Sequence, residues 1–189
     1  MDQNINLSNT SEEYKILFTG HMGSGKTTAI GTISDITPIR TEAVNTTPGI
    51  AAKLMTTVGL DYGEISLDNG DRVRLYGTPG QSRFAALWTI LARGSLGAVI
   101  LLNHSQPDAS KKLDEFLGAF EGLIRETGAV IGVTHTDLAP ELTFEPYYAV
   151  LDERSMVLPV IPMDPRKRED VLAAIDALFS LIEANWVEV

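Results

Sequence analysis

The chain has no cysteine. Disulfide staples, thiolate zinc sites and a cysteine nucleophile are excluded with it. Long hydrophobic runs are missing too. The longest apolar stretch, Leu96 to Leu102, covers seven residues and reads as a buried strand, because a helical membrane span needs about 20. Positive charge is scarce: 15 Lys and Arg stand against 25 Asp and Glu, for a net charge of −10. Nucleic acid and anionic membrane are therefore poor bulk partners, since both repel such a chain at long range. Met1 to Glu13 show no basic-then-apolar pattern, so neither a signal peptide nor a lipid attachment site is read there, and a cytoplasmic location is expected. With so little positive charge, any phosphate site has to rely on local geometry and a cation.

What is present fits one domain. A chain of 189 residues with 44% hydrophobic and 21% charged residues is close to the globular average and long enough for one α/β core. Residues 1–13 read as a flexible tail and 14–189 as the domain. The apolar run Tyr14 to Thr19 stops at Gly20, as a buried parallel strand does, and Gly25 to Asp35 suits a helix. Arg40 to Met55 is rich in Thr, contains Pro48 and Gly49 and has no clean period; it reads as a long functional or mobile loop. Val58 to Leu67 is extended and leads into Asp68-Asn69-Gly70-Asp71. The Asn-Gly pair predicts a hairpin through a type I′ turn, with positive φ at both residues, and Arg72 to Tyr76 as the returning strand.

Helix and strand patterns then alternate. Helices are expected over Arg83 to Ala92, Asp108 to Glu126, Phe144 to Asp152 and Lys167 to Ala184, and strands over Leu96 to Leu102, Ala129 to Val133 and Val157 to Ile161. This alternation predicts a three-layer α/β fold whose sheet has about six strands, mostly parallel, with one antiparallel edge hairpin.

Between the first strand and the first helix, Gly20-His21-Met22-Gly23-Ser24-Gly25-Lys26-Thr27 fits G-x-x-x-x-G-K-[ST] without a mismatch. The pattern has a mechanism. Glycines let the chain curl so that successive backbone N–H groups converge on a diphosphate, and the helix N-terminus adds partial positive charge. Lys26 is then placed to reach the β- and γ-phosphates, and Thr27 to ligate Mg²⁺ through Oγ1. Thr28 follows on the same turn and is counted with the nucleotide-binding residues. His21 and Met22 join the loop through their backbone, and the imidazole of His21 reads as solvated.

Three further segments give the chain a resemblance. Gly77-Thr78-Pro79-Gly80-Gln81-Ser82-Arg83-Phe84 resembles the switch II segment D-T-A-G-Q-E-R-F. Thr56-Thr57-Val58-Gly59-Leu60-Asp61-Tyr62-Gly63-Glu64-Ile65 resembles the passage from switch I into the second strand. Thr134-His135-Thr136-Asp137 stands in the place of the guanine-reading N-K-x-D. From residue 14 onward, the chain is similar to bacterial small Ras-like GTPases of the MglA type and related predicted GTP-binding proteins, often found with roadblock-domain partners.

The resemblance implies a P-loop G domain that binds GTP and GDP with Mg²⁺ and hydrolyses GTP slowly. Gly80 is expected to offer its N–H to the γ-phosphate and Gln81 to orient the attacking water. Thr57 is the expected second Mg²⁺ ligand, with Thr46, Thr47 and Thr56 as competitors. Asp137 is the expected guanine reader, because its carboxylate accepts from N1–H and the 2-amino group, which adenine cannot supply. The backbone N–H of Met163 or Asp164 is expected at the base oxygen. Arg40 and Arg83 are candidates for an arginine acting in cis; without one, acceleration by a roadblock-type partner is implied.

The chain departs from the pattern at three positions. Gly77 stands where Ras-like proteins carry an aspartate, and Asp61 is the candidate substitute. His135 replaces the lysine that covers the base, and Thr134 is shorter than the asparagine that ties this loop to the phosphate loop. The strand Val99 to Leu102 runs into Asn103, so no acid closes it as an ATP-using P-loop kinase or ATPase requires. Two alternatives accompany the switch: a nucleotide-binding module with little or no hydrolysis, and a P-loop protein using ATP.

Overall fold

A computed structural model describes residues 11–44, 57–139, 141 and 143–187. In chain order the strands are β1 (Glu13–Gly20), β2 (Ile39–Val44), β3 (Thr57–Ser66), β4 (Arg72–Gly77), β5 (Gly97–Asn103), β6 (Ala129–Thr134) and β7 (Val160–Pro162). The helices are α1 (Lys26–Ile33), α2 (Ala85–Ala92), α3 (Ala109–Ala119), α4 (Glu121–Glu126), α5 (Glu145–Glu153) and α6 (Arg168–Val187). Single 3₁₀ turns, Ser82–Phe84 and Thr136–Leu138, precede α2 and follow β6.

The strands form one sheet in the order β2-β3-β4-β1-β5-β6-β7. Pairings from β4 through β7 are parallel, while β2 with β3 and β3 with β4 are antiparallel. Alternating side chains send Ile16 and Phe18 to a core under α1 and α6, and Leu17 to a second core under α2, α3 and α5. Helices thus cover both faces of an α/β sheet, and β5 and β6, buried along their whole length, read as continuous apolar runs for that reason.

Three local expectations change. The sheet has seven strands where about six were expected, because Ile39–Val44 lies in β2 and pairs residue by residue with β3; its sequence shows no alternation that marks a strand. The rest of the expected loop, residues 45–55, lies outside the described residues, as do residues 1–10 of the expected tail. The hairpin turn is not type I′. Gly70 has φ 92°, Asn69 keeps a negative φ, and Gly70 N–H donates to Leu67 O at 2.9 Å. A β-turn followed by a left-handed glycine does the work instead, and the Asn69 side chain is occupied bonding Asp71. The long helix expected over Asp108 to Glu126 breaks at Phe120, whose φ of −111° and ψ of 14° leave the helical region while its ring stacks beneath Trp88.

Among the described residues no helix is long and apolar enough to cross a membrane. Because β1, β4, β5 and β6 run parallel, Gly20, Gly77, Asn103 and Thr134 end together on one edge of the sheet. In open α/β sheets that carboxyl edge is where ligands bind.

Candidate functional site

A cleft of about 1300 Å³ opens along this edge. Its floor is the loop from Gly20 to Thr27. Gly20 has φ 139°, and a Cβ there would lie 2.2 Å from Leu101 O, so only glycine lets β1 turn this close to β5. The turn closes with Ser24 N–H donating to His21 O at 3.2 Å, and α1 begins at Lys26 with its first N–H groups facing the cleft end of the helix. Lys26 is only 8% exposed, and its ammonium donates to Gly20 O and His21 O, both at 2.7 Å. Burial pulls its pKa down to about 8, while the charge of Asp61 acts in the opposite direction.

One wall is the segment after β4. Thr78 N–H donates to Phe18 O, its hydroxyl meets that of Thr19 at 2.8 Å, and Trp88 Nε1 holds Pro79 O at 2.8 Å. Trp88 and Phe84 are core residues, as their size suggests. So braced, Gly80 packs onto the loop: a Cβ there would lie 2.5 Å from Met22 N and 2.9 Å from Lys26 Nζ. Gln81 follows at the mouth, with Nε2 3.8 Å from the Sδ of exposed Met22. Thr27 Oγ1 donates a short hydrogen bond to Asp61 Oδ2 on β3.

The other wall comes from β6, β7 and the loops after them. Thr134 is fully buried, and its hydroxyl lies 3.1 Å from Ser24 O, 3.1 Å from Leu102 O and 2.9 Å from His135 Nδ1. Although shorter than asparagine, it ties this wall to the glycine loop. His135 takes a left-handed conformation with φ 59°, which turns the chain so that His135, Thr136 and exposed Asp137 line the cleft.

Several expected site residues come together here. Met22, Gly23, Gly25, Lys26, Thr27, Thr28, Gly80, Gln81, His135, Asp137, Met163 and Asp164 all line the cleft. Gly20, Ser24 and Thr134 shape it from behind. Thr57 is the first residue of β3, paired with Val44; its competitors Thr46, Thr47 and Thr56 lie outside the described residues.

Two readings are corrected. His21 is not solvated: it is 7% exposed, packed toward Lys112 and Asp108 of the α3 region, and neither ring nitrogen has a hydrogen-bond partner among the described residues. Burial, reinforced by the positive charges of Lys112 and Lys26, pushes its pKa down to about 4. The N–H groups of Met163 and Asp164 are already engaged. Met163 donates to Val133 O at 2.9 Å and Asp164 to Asp170 Oδ2 at 2.8 Å. Neither is open to a base oxygen. Arg83 is exposed with its guanidinium over the Phe84 ring, not in the cleft.

Sequence reasoning missed Leu138, Pro165, Arg166 and Lys167, which also line the cleft. The signal was the Arg-Lys pair just past β7, on the same sheet edge as the phosphate loop. Arg166 forks onto the Asp164 carboxylate with bonds of 2.8 and 2.7 Å and holds that carboxyl down to about 2.

Whether the site suits a divalent cation can be judged from its donors. Among the described residues no cluster of three or more His, Cys, Asp or Glu side chains can hold a metal. Thr27 Oγ1 and Asp61 nevertheless put one hydroxyl and one carboxylate beside the glycine loop. That donor set fits a hard cation that takes its remaining oxygens from phosphate and water, as Mg²⁺ does. Comparison with protein-family models and with curated proteins returns no match.

Proposed function

We propose that the chain is a P-loop G domain acting as a GTP-binding, GTP-hydrolysing switch of the small Ras-like type. The observation that carries the reading is the contact of Gly80 with the loop at Met22 and Lys26. It supports the reading because a second backbone segment packs on the loop where a terminal phosphate would lie, and such a segment could respond to whether the phosphate is present. Backbone N–H groups and Lys26 bind the phosphates, and Thr27, with Thr57 from the start of β3, holds Mg²⁺. When bound, that ion neutralises charge on the phosphates. Asp137 reads guanine, in a wall kept in register by Thr134.

In the reaction water attacks the γ-phosphorus, the bond to the β–γ bridging oxygen breaks, and GDP and phosphate leave. Gln81 orients the water. The proposal includes slow turnover by the chain alone and a roadblock-type partner that supplies or reorients groups at Gln81; Arg83 stands outside the cleft. A cytoplasmic location is also part of it.

A second reading, nucleotide binding with little or no turnover, is favoured by one observation: the Gln81 amide rests on the thioether of Met22. Single-turnover assays on purified protein loaded with GTP separate the two. A switch turns GTP over and loses about a hundredfold in rate in Gln81→Leu. Tight GTP binding with no turnover, with or without a roadblock-type partner, leaves the binding module standing, and tighter binding of ADP than GDP removes the guanine assignment.

A further inference from the structure

On the proposed reading Asp137 meets one half of a guanine edge, the N1–H and 2-amino donors. The other half, the 6-oxygen and N7, consists of acceptors and calls for donors. The wall around Asp137 has spent the main-chain donors expected there. Met163 N–H goes to Val133 O at 2.9 Å and Asp164 N–H to Asp170 Oδ2 at 2.8 Å. A donor for those atoms therefore has to come from a side chain of the same wall.

Arg166 lines the cleft there, and the structure holds it from two sides. Pro165 before it is seated against the glycine loop: a Cβ on Gly25 would lie 2.7 Å from Pro165 Cγ, and Thr32 Oγ1 donates to Pro165 O at 2.8 Å. Arg166 N–H then donates to Asp164 Oδ1 at 3.0 Å, and Lys167 N–H to Asp164 O at 2.9 Å. Beyond the backbone, the guanidinium is pinned as well, with Nε on Asp164 Oδ1 and Nη2 on Asp164 Oδ2. Asp164 thus takes the side-on edge of the guanidinium. The end-on edge, Nη1 with Nη2, carries further N–H groups on a side chain that is 70% exposed. The charge of Asp137 acts on Arg166, so an acceptor carboxylate and a donor fork stand near each other on one wall.

We propose that Arg166 is a specificity residue that donates from its end-on edge to the 6-oxygen and N7 of guanine, and that Asp164 positions it. Arginine suits this pair of acceptors because its planar fork matches their spacing. Adenine puts a 6-amino donor in the same place, which a guanidinium cannot accept. Pinning by Asp164 restricts a long side chain before the nucleotide arrives, so less entropy is lost on binding. The proposal rests on the nucleotide-binding reading and names the second half of its base recognition.

Calorimetry on the full chain with Mg²⁺ tests it, using GDP, ADP and 6-thio-GDP. The last keeps N1–H and the 2-amino group but puts a weak sulfur acceptor in place of the oxygen. Because Arg166 is exposed and packs in no core, Arg166→Ala leaves the fold intact. That variant is expected to bind GDP about tenfold more weakly and ADP within about twofold of the parent. The parent is expected to prefer GDP over 6-thio-GDP about fivefold or more, and Arg166→Ala to reduce that preference to within about twofold. Arg166→Lys keeps the charge without the fork and should recover little of the loss. Asp164→Ala is expected to cost about threefold for GDP in the parent and nothing further once Arg166 is alanine.

Unchanged GDP affinity in Arg166→Ala, with guanine still preferred over adenine, overturns the proposal and leaves the nucleotide site standing. An equal loss of GDP and ADP overturns it too, because Arg166 then grips a part common to both nucleotides. So does a preference for GDP over 6-thio-GDP that survives the substitution. Strict additivity of Asp164→Ala and Arg166→Ala overturns the positioning role. A parent chain without affinity for any guanine nucleotide removes the function reading and this proposal together.

Discussion

The two ends of the cleft are built differently. At the glycine-loop end, the proposed phosphate site, main-chain atoms do most of the shaping. Gly20 and Gly80 sit where a Cβ would collide with backbone, Lys26 is buried on two carbonyls, and paired hydroxyls of Thr19 and Thr78 hold the adjoining segment. At the other end side chains do it, and they are open to water: Asp137 is exposed, Leu138 is 65% exposed, and Arg166 and Asp164 satisfy each other. Steric demands of the first kind admit few residues. Contacts of the second kind can be exchanged for others while the strands beneath stay the same. The glycine loop therefore admits few residues at these positions, and the opposite wall admits many.

The sharpest break between the ends comes from removing one charge at each. On the proposed reading Lys26→Ala takes away the ammonium that would meet the phosphates in a nearly buried setting, a loss of about 4 kcal/mol or about a thousandfold. GDP and ADP should suffer alike in calorimetry, because both carry the same diphosphate. If Asp137 reads guanine as proposed, Asp137→Ala removes two charge-assisted hydrogen bonds in a more exposed place, worth about 2–3 kcal/mol together, so GDP affinity should fall about a hundredfold. ADP affinity should stay put. An equal loss of both nucleotides in Asp137→Ala would mean that the second wall holds the fold and reads no base.

A milder probe of the phosphate end is pH. Burial sets Lys26 near 8 in the free protein, and a bound diphosphate raises that value because the ammonium gains an anionic partner. Binding above about pH 8 then takes up a proton, and GDP affinity should be flat from about pH 7 to about pH 8 and fall by up to about tenfold over the next unit. For folding the sign is reversed. The unfolded lysine holds its proton up to its ordinary value near 10.5, so between about pH 8 and that value this group makes the folded state more stable as pH rises. Affinity that rises across the same interval would show that Lys26 does not face the phosphates.

The same contrast explains what could be read without coordinates. The strand, the glycine loop and α1 were legible because the loop needs glycines at fixed spacing and a lysine after them, and few other residues satisfy those sterics. Asp61 was visible only as a candidate; its place opposite Gly77 depends on strand register, which sequence spacing does not reveal. β2 was invisible because its mixed side chains, Ile39 to Val44, show no alternation. The N–H groups of Met163 and Asp164 were misjudged because their acceptors, Val133 O and the Asp170 carboxylate, are brought in by β6 and α6. The burial of His21 escaped notice for a like reason, since the charges that act on its ring include those of Asp108 and Lys112, far along the chain.

The smallest expected effect tests whether the two ends are coupled at all. Thr134 joins them directly, since it sits on β6 at the head of the base-reading wall while its hydroxyl reaches Ser24 O in the phosphate loop. One hydroxyl has one proton, so it is shared between Ser24 O and Leu102 O while the oxygen faces His135 Nδ1. Thr134→Val keeps the shape and leaves those buried carbonyls with a partner fewer, at a cost of about 1–2 kcal/mol in unfolding free energy. If the bond also sets the spacing between the walls, GDP and ADP should both bind about threefold more weakly, and the loss should fail to add to that of Asp137→Ala in a double-mutant cycle. A stability loss of that size, with nucleotide affinity unchanged and strictly additive, would mean that phosphate loop and base wall are independent features sharing a sheet edge.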